Sequence, residues 1–481
     1  MASYDDKAAA IERLEEADES SRQSDTNVED PRVPTIRRRV DKRLCLVLGL
    51  LYIVNQIDRI NLPVAVVAGL TKDVKLVGNQ YSIIVLAFFP TYVIVQPFAT
   101  PVCRLLGPRP FLSTIIFLWG IAILALGFSK NFALLTLFRA CLGALEGGFF
   151  PGALFLLSMW YVRSEVAKRN AALYLMGNGA SGFGGILAYG LMQTGNTGVG
   201  GLEKWQWIFI WEGVITCIAA MVAYIFIVDF PEDASKSWKF LSPDEAQVMI
   251  DRVDKDRGDA HLPPFSLKSY LKTALDWKVW SFAANFGLSA VVTYSVAYFL
   301  PIVLKNELGF SQVAALCLPA PCYAFGAILG LTESWLSDKY SVRGPLLIIN
   351  ATIEIIGISV LGYAANPSVR FFGAFLVVGG SNANVPASLT YQAVNIVGQW
   401  KRAFCSATIV GMGGIGGIIG SLAFRSKDAP AYRPGLYCCL TAAALTVVNV
   451  LCTTLYMIRK NRLQAMNRAV LEGVEGFRYT I

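Results

Sequence analysis

Charge is what this sequence has least of. Only 16% of its 481 residues are Asp, Glu, Lys or Arg, against about 25% in ordinary soluble domains, and histidine occurs once, at His261. No stretch of domain size has soluble composition, so the chain does not divide into water-facing domains in the way its length alone would suggest. Cysteines number ten, but none forms a CxxC pair or a zinc spacing, and Cys141, Cys217, Cys317 and Cys452 lie inside apolar runs. They read as small core residues, and no metal or cofactor is expected. The lone histidine sits on a polar stretch, and no nucleophile stands beside a base, so an enzyme is not expected. Roughly the first 35 residues are acidic, Ser-rich and without an apolar run, which excludes a signal peptide or presequence reading for them.

What is present is apolar length. Hydrophobic residues make up 54% of the chain. Runs able to cross about 30 Å of hydrocarbon at about 1.5 Å per residue fall near Leu44–Val64, Tyr81–Cys103, Pro110–Ser129, Phe132–Trp160, Asn170–Gln193 and Gln206–Val228. They resume at Val279–Leu304, Val313–Leu336, Gly344–Ala364, Phe371–Val397, Ala403–Phe424 and Gly435–Ile458. The expected fold class is therefore an all-α polytopic membrane protein with twelve transmembrane helices in two six-helix bundles.

The expected organisation is a disordered tail over 1–43, a first bundle over 44–228, a polar linker over 229–278, a second bundle over 279–458 and a tail over 459–481. The net charge of +8 sits at the ends of apolar runs and not on one face, so it signals topology and no nucleic-acid partner is expected. Arg37, Arg38, Arg39, Lys42 and Arg43 precede the first helix, and Arg459, Lys460 and Arg462 follow the last. An even helix count then predicts both termini on the cytoplasmic side.

The halves echo each other, as in transporters built from repeats. Lys168-Arg169 precedes a glycine-dense fifth helix, and Lys401-Arg402 a glycine-dense eleventh; Gly147-Gly148 with Pro151 in the fourth parallels Gly379-Gly380 with Pro386 in the tenth. Close helix approach explains the glycines better than a phosphate loop, because no strand precedes them and no GK[ST] follows.

A charge near the bilayer centre costs roughly 2.5–3.5 kcal/mol, so charges kept there pair or line a polar cavity. Asp58-Arg59-Ile60-Asn61 lies about 20 Å along the first helix, and Arg139 lies about 10 Å into the antiparallel fourth, so Asp58 and Arg139 share a depth. Glu146 follows Arg139 by two turns on the same face. One reading makes Asp58, Arg139 and Glu146 the border of a cavity, Arg139 attracting an anion and a carboxylate accepting a proton. The alternative is a structural ion network. Glu212 and Glu354 are further intramembrane carboxylates without a partner legible in the sequence. Asn382, Asn384, Tyr391, Gln392 and Asn395 in the tenth helix, with Asn285, Tyr294 and Tyr298 in the seventh, suit hydrogen bonding to a small polar solute, or, for the tyrosines, an interfacial belt.

Several motifs carry a family likeness. Asp58-Arg59-x-Asn61, Gly78-Asn79-Gln80-Tyr81, Arg139-x3-Gly143-x2-Glu146-Gly147-x2-Phe150-Pro151-Gly152, the Trp205 to Gly213 segment, Asp276-Trp277-Lys278-Val279-Trp280 and Phe424 to Pro430 stand in register over about Asp41–Met457. The chain resembles the major facilitator superfamily and, within it, the fungal anion:cation symporters of the allantoate permease family. The resemblance implies proton-coupled uptake of a small organic anion of the vitamin carboxylate, ureide or small peptide class. It also implies a cell-membrane location and a cavity lined by the first, fourth, seventh and tenth helices. The expected partners are the anionic solute, protons and the lipid bilayer, with a functional monomer.

On the reading of the residues themselves Arg139, Asn285, Tyr294, Tyr298, Asn382, Asn384 and Tyr391 are the expected solute contacts, and on the resemblance Arg139 also matches the arginine of the superfamily's fourth-helix motif, linked there to proton coupling. Asp58, Arg59, Glu146, Glu212 and Asp338 are the expected coupling or gating residues, Asp338 through the Asp338-Lys339 and Arg343-Gly344 loop pattern. Its first-half counterpart departs from the superfamily, with Arg104 three residues before Gly107. The alternative function is export of a fungal secondary metabolite. The fifth helix, however, has Ser181-Gly182-Phe183 where the antiporter motif places a proline.

Overall fold

The computed structural model describes residues 30–481 except 198–200, 237–239, 259–271, 341, 398, 426–427, 429–431, 467–469 and 473–476; residues 1–29 and His261 therefore lie outside the described residues. The chain folds into α1 (Val33–Ala68), α2 (Gln80–Leu106), α3 (Pro108–Gly127), α4 (Phe132–Trp160), α5 (Arg163–Met192) and α6 (Lys204–Phe226). After the linker come α7 (Trp277–Asn306), α8 (Pro319–Tyr340), α9 (Gly344–Tyr363), α10 (Pro367–Asn395), α11 (Gln399–Ala423) and α12 (Arg433–Ala465). Ten of these segments are long and apolar enough to cross a membrane. The other two, α5 and α10, have the length, at 30 and 29 residues, with glycines and carboxamides in place of part of the apolar content.

Local chemistry starts and stops the helices. Asn131, Asp276 and Asn366 accept the backbone N–H of Leu134, Lys278 and Ser368 and so cap α4, α7 and α10. Proline enters the first turn of α3, α9, α10 and α12, where its missing N–H costs nothing. Gly69, at φ +122°, ends α1 in a conformation that an L side chain rarely adopts.

The first six helices pack mainly as α3 on α6, α1 on α5 and α2 on α4; the last six as α9 on α10, α7 on α11 and α8 on α10. Between the two sets, α2 meets α11, α5 meets α8 and α1 meets α7. The glycine-dense helices are the ones at these seams. A Cβ on Gly182 would stand 3.0 Å from Tyr323 of α8, and one on Gly185 would collide with the Leu316 carbonyl; on α11, Gly414 and Gly417 seat Val93 and Phe89 of α2. Small residues thus set the contact distance between halves.

The even helix count brings both ends of the chain to one face, here named the terminal face, opposite the distal face. Among the described residues four hydrogen bonds join the halves toward the distal face. Lys305 Nζ and Gln312 Nε2 donate to the Val67 carbonyl at 2.5 and 3.3 Å, Tyr81 to the Tyr298 carbonyl at 3.0 Å, and Ser82 to the Phe424 carbonyl at 3.1 Å. All four lie toward the distal ends of their helices, so this conformation is closed on the distal side.

Two expectations at the terminal face change. Residues 33–43, expected in a disordered tail, are helical and continuous with α1, because Val33, Ile36 and Val40 repeat at helical spacing and bury one side. The last residues pack back onto the second half. Glu472 accepts from Lys278 and, at 2.6 Å, from Lys401. Tyr479 N–H donates to Asn461 Oδ1 at 2.9 Å, Thr480 N–H to Asn395 Oδ1 at 2.8 Å, and the Arg343 N–H to the Ile481 carbonyl at 2.6 Å. This strap joins the terminal ends of α7, α9, α10, α11 and α12.

Candidate solute cavity and buried charge cluster

Between the halves lies a cavity of about 140 Å³, with Tyr52, Gln56, Arg59, Ile60, Tyr174 and Ser181 on one side. Phe286, Thr293, Tyr294, Tyr298, Tyr323 and Asn382 are on the other. Tyr52, Gln56 and Arg59 fall at i, i+4 and i+7 of α1, one stripe of a 3.6-residue helix. Arg59 is the one charged residue among those lining the cavity. Its guanidinium lies over the rings of Tyr92 and Phe88, 4.9 and 5.2 Å from their centroids, a favourable cation–π setting in a desolvated site. Its Nη2 stands 3.2 Å from Glu146 Oε2, with side-chain exposures of 12% and 0%. The same oxygen accepts from Asn55 Nδ2 at 3.0 Å.

Behind this pair the charges continue inward. Asp58 Oδ2 accepts from Trp119 Nε1 at 3.0 Å and Thr216 Oγ1 at 2.8 Å, both far apart in sequence but brought in by α3 and α6. Arg139 is fully buried; Nη2 donates to the Arg59 carbonyl at 3.4 Å, whereas Nε and Nη1 have no acceptor among the described residues. Glu212 is buried beside Asn61, within the field of Asp58 and Arg139. The cluster therefore holds three carboxyl groups, Asp58, Glu146 and Glu212, against two guanidinium groups that remain charged at any physiological pH. With one carboxyl protonated it is neutral; with all three ionised it buries a net negative charge, which is costly.

The residues expected at the site separate into two groups. Tyr294, Tyr298 and Asn382 line the cavity. Arg139, expected to meet the anion, sits behind Arg59, and the guanidinium that faces the cavity is Arg59, expected only in coupling or gating. Asn285 donates to Ser388 at 2.8 Å, Asn384 to Glu354 at 2.9 Å, and Tyr391 pairs its hydroxyl with Thr454 at 3.3 Å; all three are held inside the second half. Asn382 and Asn384 are two residues apart on one helix, so they point to different sides and only one faces the cavity. Glu354 thus has its partner in Asn384. Gly380, whose Cβ would stand 2.8 Å from the Glu354 side chain, leaves room for that contact. Asp338 lies in α8, but its side chain is outside the described residues.

Sequence reading missed Tyr52, Gln56, Tyr174 and Tyr323 of the wall, Asn55, Trp119 and Thr216 of the cluster, and Glu333, which accepts from Asn350 at 2.6 Å. The α1 stripe was the available signal for the first two. Among the described residues no group of His, Cys, Asp and Glu could hold a metal ion.

A membrane-spanning pair of six-helix bundles around a central polar cavity defines the class: a carrier that works between two halves. The chain belongs to the Major Facilitator Superfamily, whose model matches residues 48–421. It is 29% identical over 443 residues to the high-affinity nicotinic acid transporter of Saccharomyces cerevisiae, covering 92% of this chain and 80% of that one. It is 31% identical over 408 residues to the MFS-type transporter cnsO of Penicillium expansum, covering 83% and 78%. Among solved structures, the xylose transporter XylE from E. coli in a partially occluded inward open conformation superposes with a TM-score of 0.62 at 15% identity, over 85% of this chain and 97% of that one. A bacterial homolog of the human lysosomal transporter Spinster, in an inward-facing conformation, gives 0.61 at 17%, over 85% and 94%. The protein is a multi-pass membrane transporter of this superfamily.

Proposed function

We propose that the protein imports a small organic anion together with protons, by alternating access, with Arg59 as the anion contact and Glu146 as the coupling carboxyl. One observation carries this reading: the single charged residue on the cavity wall is ion-paired, at 3.2 Å, to a carboxylate with no solvent exposure. A solute carboxylate and an ionised Glu146 compete for the same guanidinium. Two anions on one arginine in a low-dielectric site repel each other by several kcal/mol at an effective dielectric near 20. Protonating Glu146 removes the competitor and leaves Arg59 free to take the solute in bidentate fashion. Anion and proton then load together, and the charge brought in by one offsets the other.

Asp58 and Glu212 supply the rest of the proton inventory behind Arg139. The distal side is closed in this conformation, so the halves reopen there by breaking the Lys305, Tyr81 and Ser82 contacts. The basic flanks of α1 and α12 support a cytoplasmic terminal face in the cell membrane. The monomer carries a complete cavity. The relative that transports nicotinic acid supports a small carboxylate as solute.

The test is uptake of radiolabelled small carboxylates and ureides, at two external pH values, by cells expressing the chain. Accumulation of a carboxylate that rises at the lower pH is the expected result. Net efflux of such a compound would replace this reading with the exporter, and uptake indifferent to pH would refute the proton coupling.

A further inference from the structure

Tyr298 of α7 is 1% exposed, yet it forms part of the cavity wall, and its hydroxyl has no hydrogen-bond partner among the described residues. The rest of the residue is fixed. Its carbonyl accepts from Tyr81 at 3.0 Å. Its ring stacks on Tyr294 at 6.3 Å and 19° and meets Phe89 edge-on at 6.1 Å and 85°. Rings held on two sides, on a pinned backbone, cannot swing the hydroxyl elsewhere. A buried donor without an acceptor is costly, and a site built around such a donor rejects a ligand that leaves it unpaired.

We propose that the Tyr298 hydroxyl is a specificity-determining donor: it reads an acceptor atom on the solute remote from the carboxylate. The inference rests on the reading of Arg59 as the anion contact and goes beyond it. The two anchors come from different halves, Arg59 from α1 and Tyr298 from α7, so a solute bonded to both spans the seam. The preferred solute is bifunctional, with one carboxylate and one separate acceptor such as a ring nitrogen or a carbonyl. A second carboxylate finds no further cation, because Arg59 is the one charged residue among those lining the cavity. Dianions are therefore excluded.

The test is calorimetric binding to the full chain in lipid nanodiscs with two matched pairs: benzoate against pyridine-3-carboxylate, and pentanoate against 4-oxopentanoate. Each pair shares charge and approximate shape, and only the second member carries the acceptor. In the wild-type protein the acceptor-bearing member binds at least fivefold more tightly. In Tyr298→Phe that ratio falls to within twofold of one. Equal affinities within both pairs in the wild type overturn the proposal without any variant, as does a Tyr298→Phe loss shared equally by all four probes. Arg59→Gln separates the two readings: affinities unchanged in that variant refute the anion site itself. Absence of binding by all four probes refutes both readings.

Discussion

Replacing Glu472 by Gln removes the charge at the centre of the terminal-face strap while keeping its shape. In the native protein Lys278 and Lys401 face Glu472 and Asp276, two cations against two anions. The side chains of Lys278 and Glu472 are 11% and 4% exposed, and burial alone would raise the Glu472 carboxyl. Hydrogen bonds from Lys278, Lys401 and Tyr479 outweigh burial and hold it below its ordinary value of 4.5. The variant leaves two lysines with Asp276 as their only carboxylate. Breaking a fully buried pair costs about 3–5 kcal/mol; with Asp276 retained and the lysines partly wet, about 2–3 kcal/mol is expected.

Tyr479 and Thr480 donate backbone N–H groups into the strap, so their hydrogen exchange, read by mass spectrometry in nanodiscs, reports docking. At about 1.4 kcal/mol per decade, protection should fall roughly 30- to 150-fold. The pH dependence follows from the signs. Glu472 and Asp276 are held below their ordinary 4.5 and 3.8, Asp276 because hydrogen bonds from Lys401 and the charge of Lys278 outweigh its burial. Their contribution is complete above those values and disappears as pH falls through the depressed ones. Lys401 is raised above 10.5, its bonds to Asp276 and Glu472 outweighing burial, so its contribution is complete below that value and disappears as pH rises past the raised one. Docking is thus flat from about pH 5 to 10. Unchanged protection in Glu472→Gln, or docking that titrates near neutrality, would refute the electrostatic account of the strap.

Two further outcomes follow from the seams. Gly185→Val places a branched side chain against the Leu316 carbonyl and should abolish transport, with correct membrane insertion confirmed by surface biotinylation. Lys305→Met removes a cation from the C-terminal carbonyls of α1, worth about 0.3–1 kcal/mol from the helix dipole alone. It should raise labelling of a cysteine introduced at position 301 by a thiol reagent supplied from the distal side severalfold.

Much of the fold was legible because crossing a bilayer requires apolar length, and each of the twelve helices begins or ends within about four residues of an end of its apolar run. The start of α1 was not, since three arginines at 37–39 mask the Val33, Ile36 and Val40 stripe. The strap was also not legible: Lys278 and Glu472 are 194 residues apart, and such a pairing leaves no periodic trace. In the site, rise per residue placed Asp58 and Arg139 at one depth. Depth does not say which way a side chain faces, and the rotation of α1 puts Arg59, not Arg139, on the cavity wall. Partners such as Trp119 and Thr216 are ordinary core residues in sequence and become polar ligands of Asp58 only when α3 and α6 close around α1.

The central claim is that Glu146 must take a proton before Arg59 can take the anion. Proteoliposomes reconstituted with the wild-type chain and with Glu146→Gln, loaded with a transported carboxylate, test it through uptake driven by an imposed pH gradient and through gradient-free exchange. The account predicts that Glu146→Gln loses gradient-driven accumulation while retaining exchange, because a neutral residue leaves Arg59 permanently open to the anion. Gradient-driven accumulation at the wild-type level in that variant would contradict it.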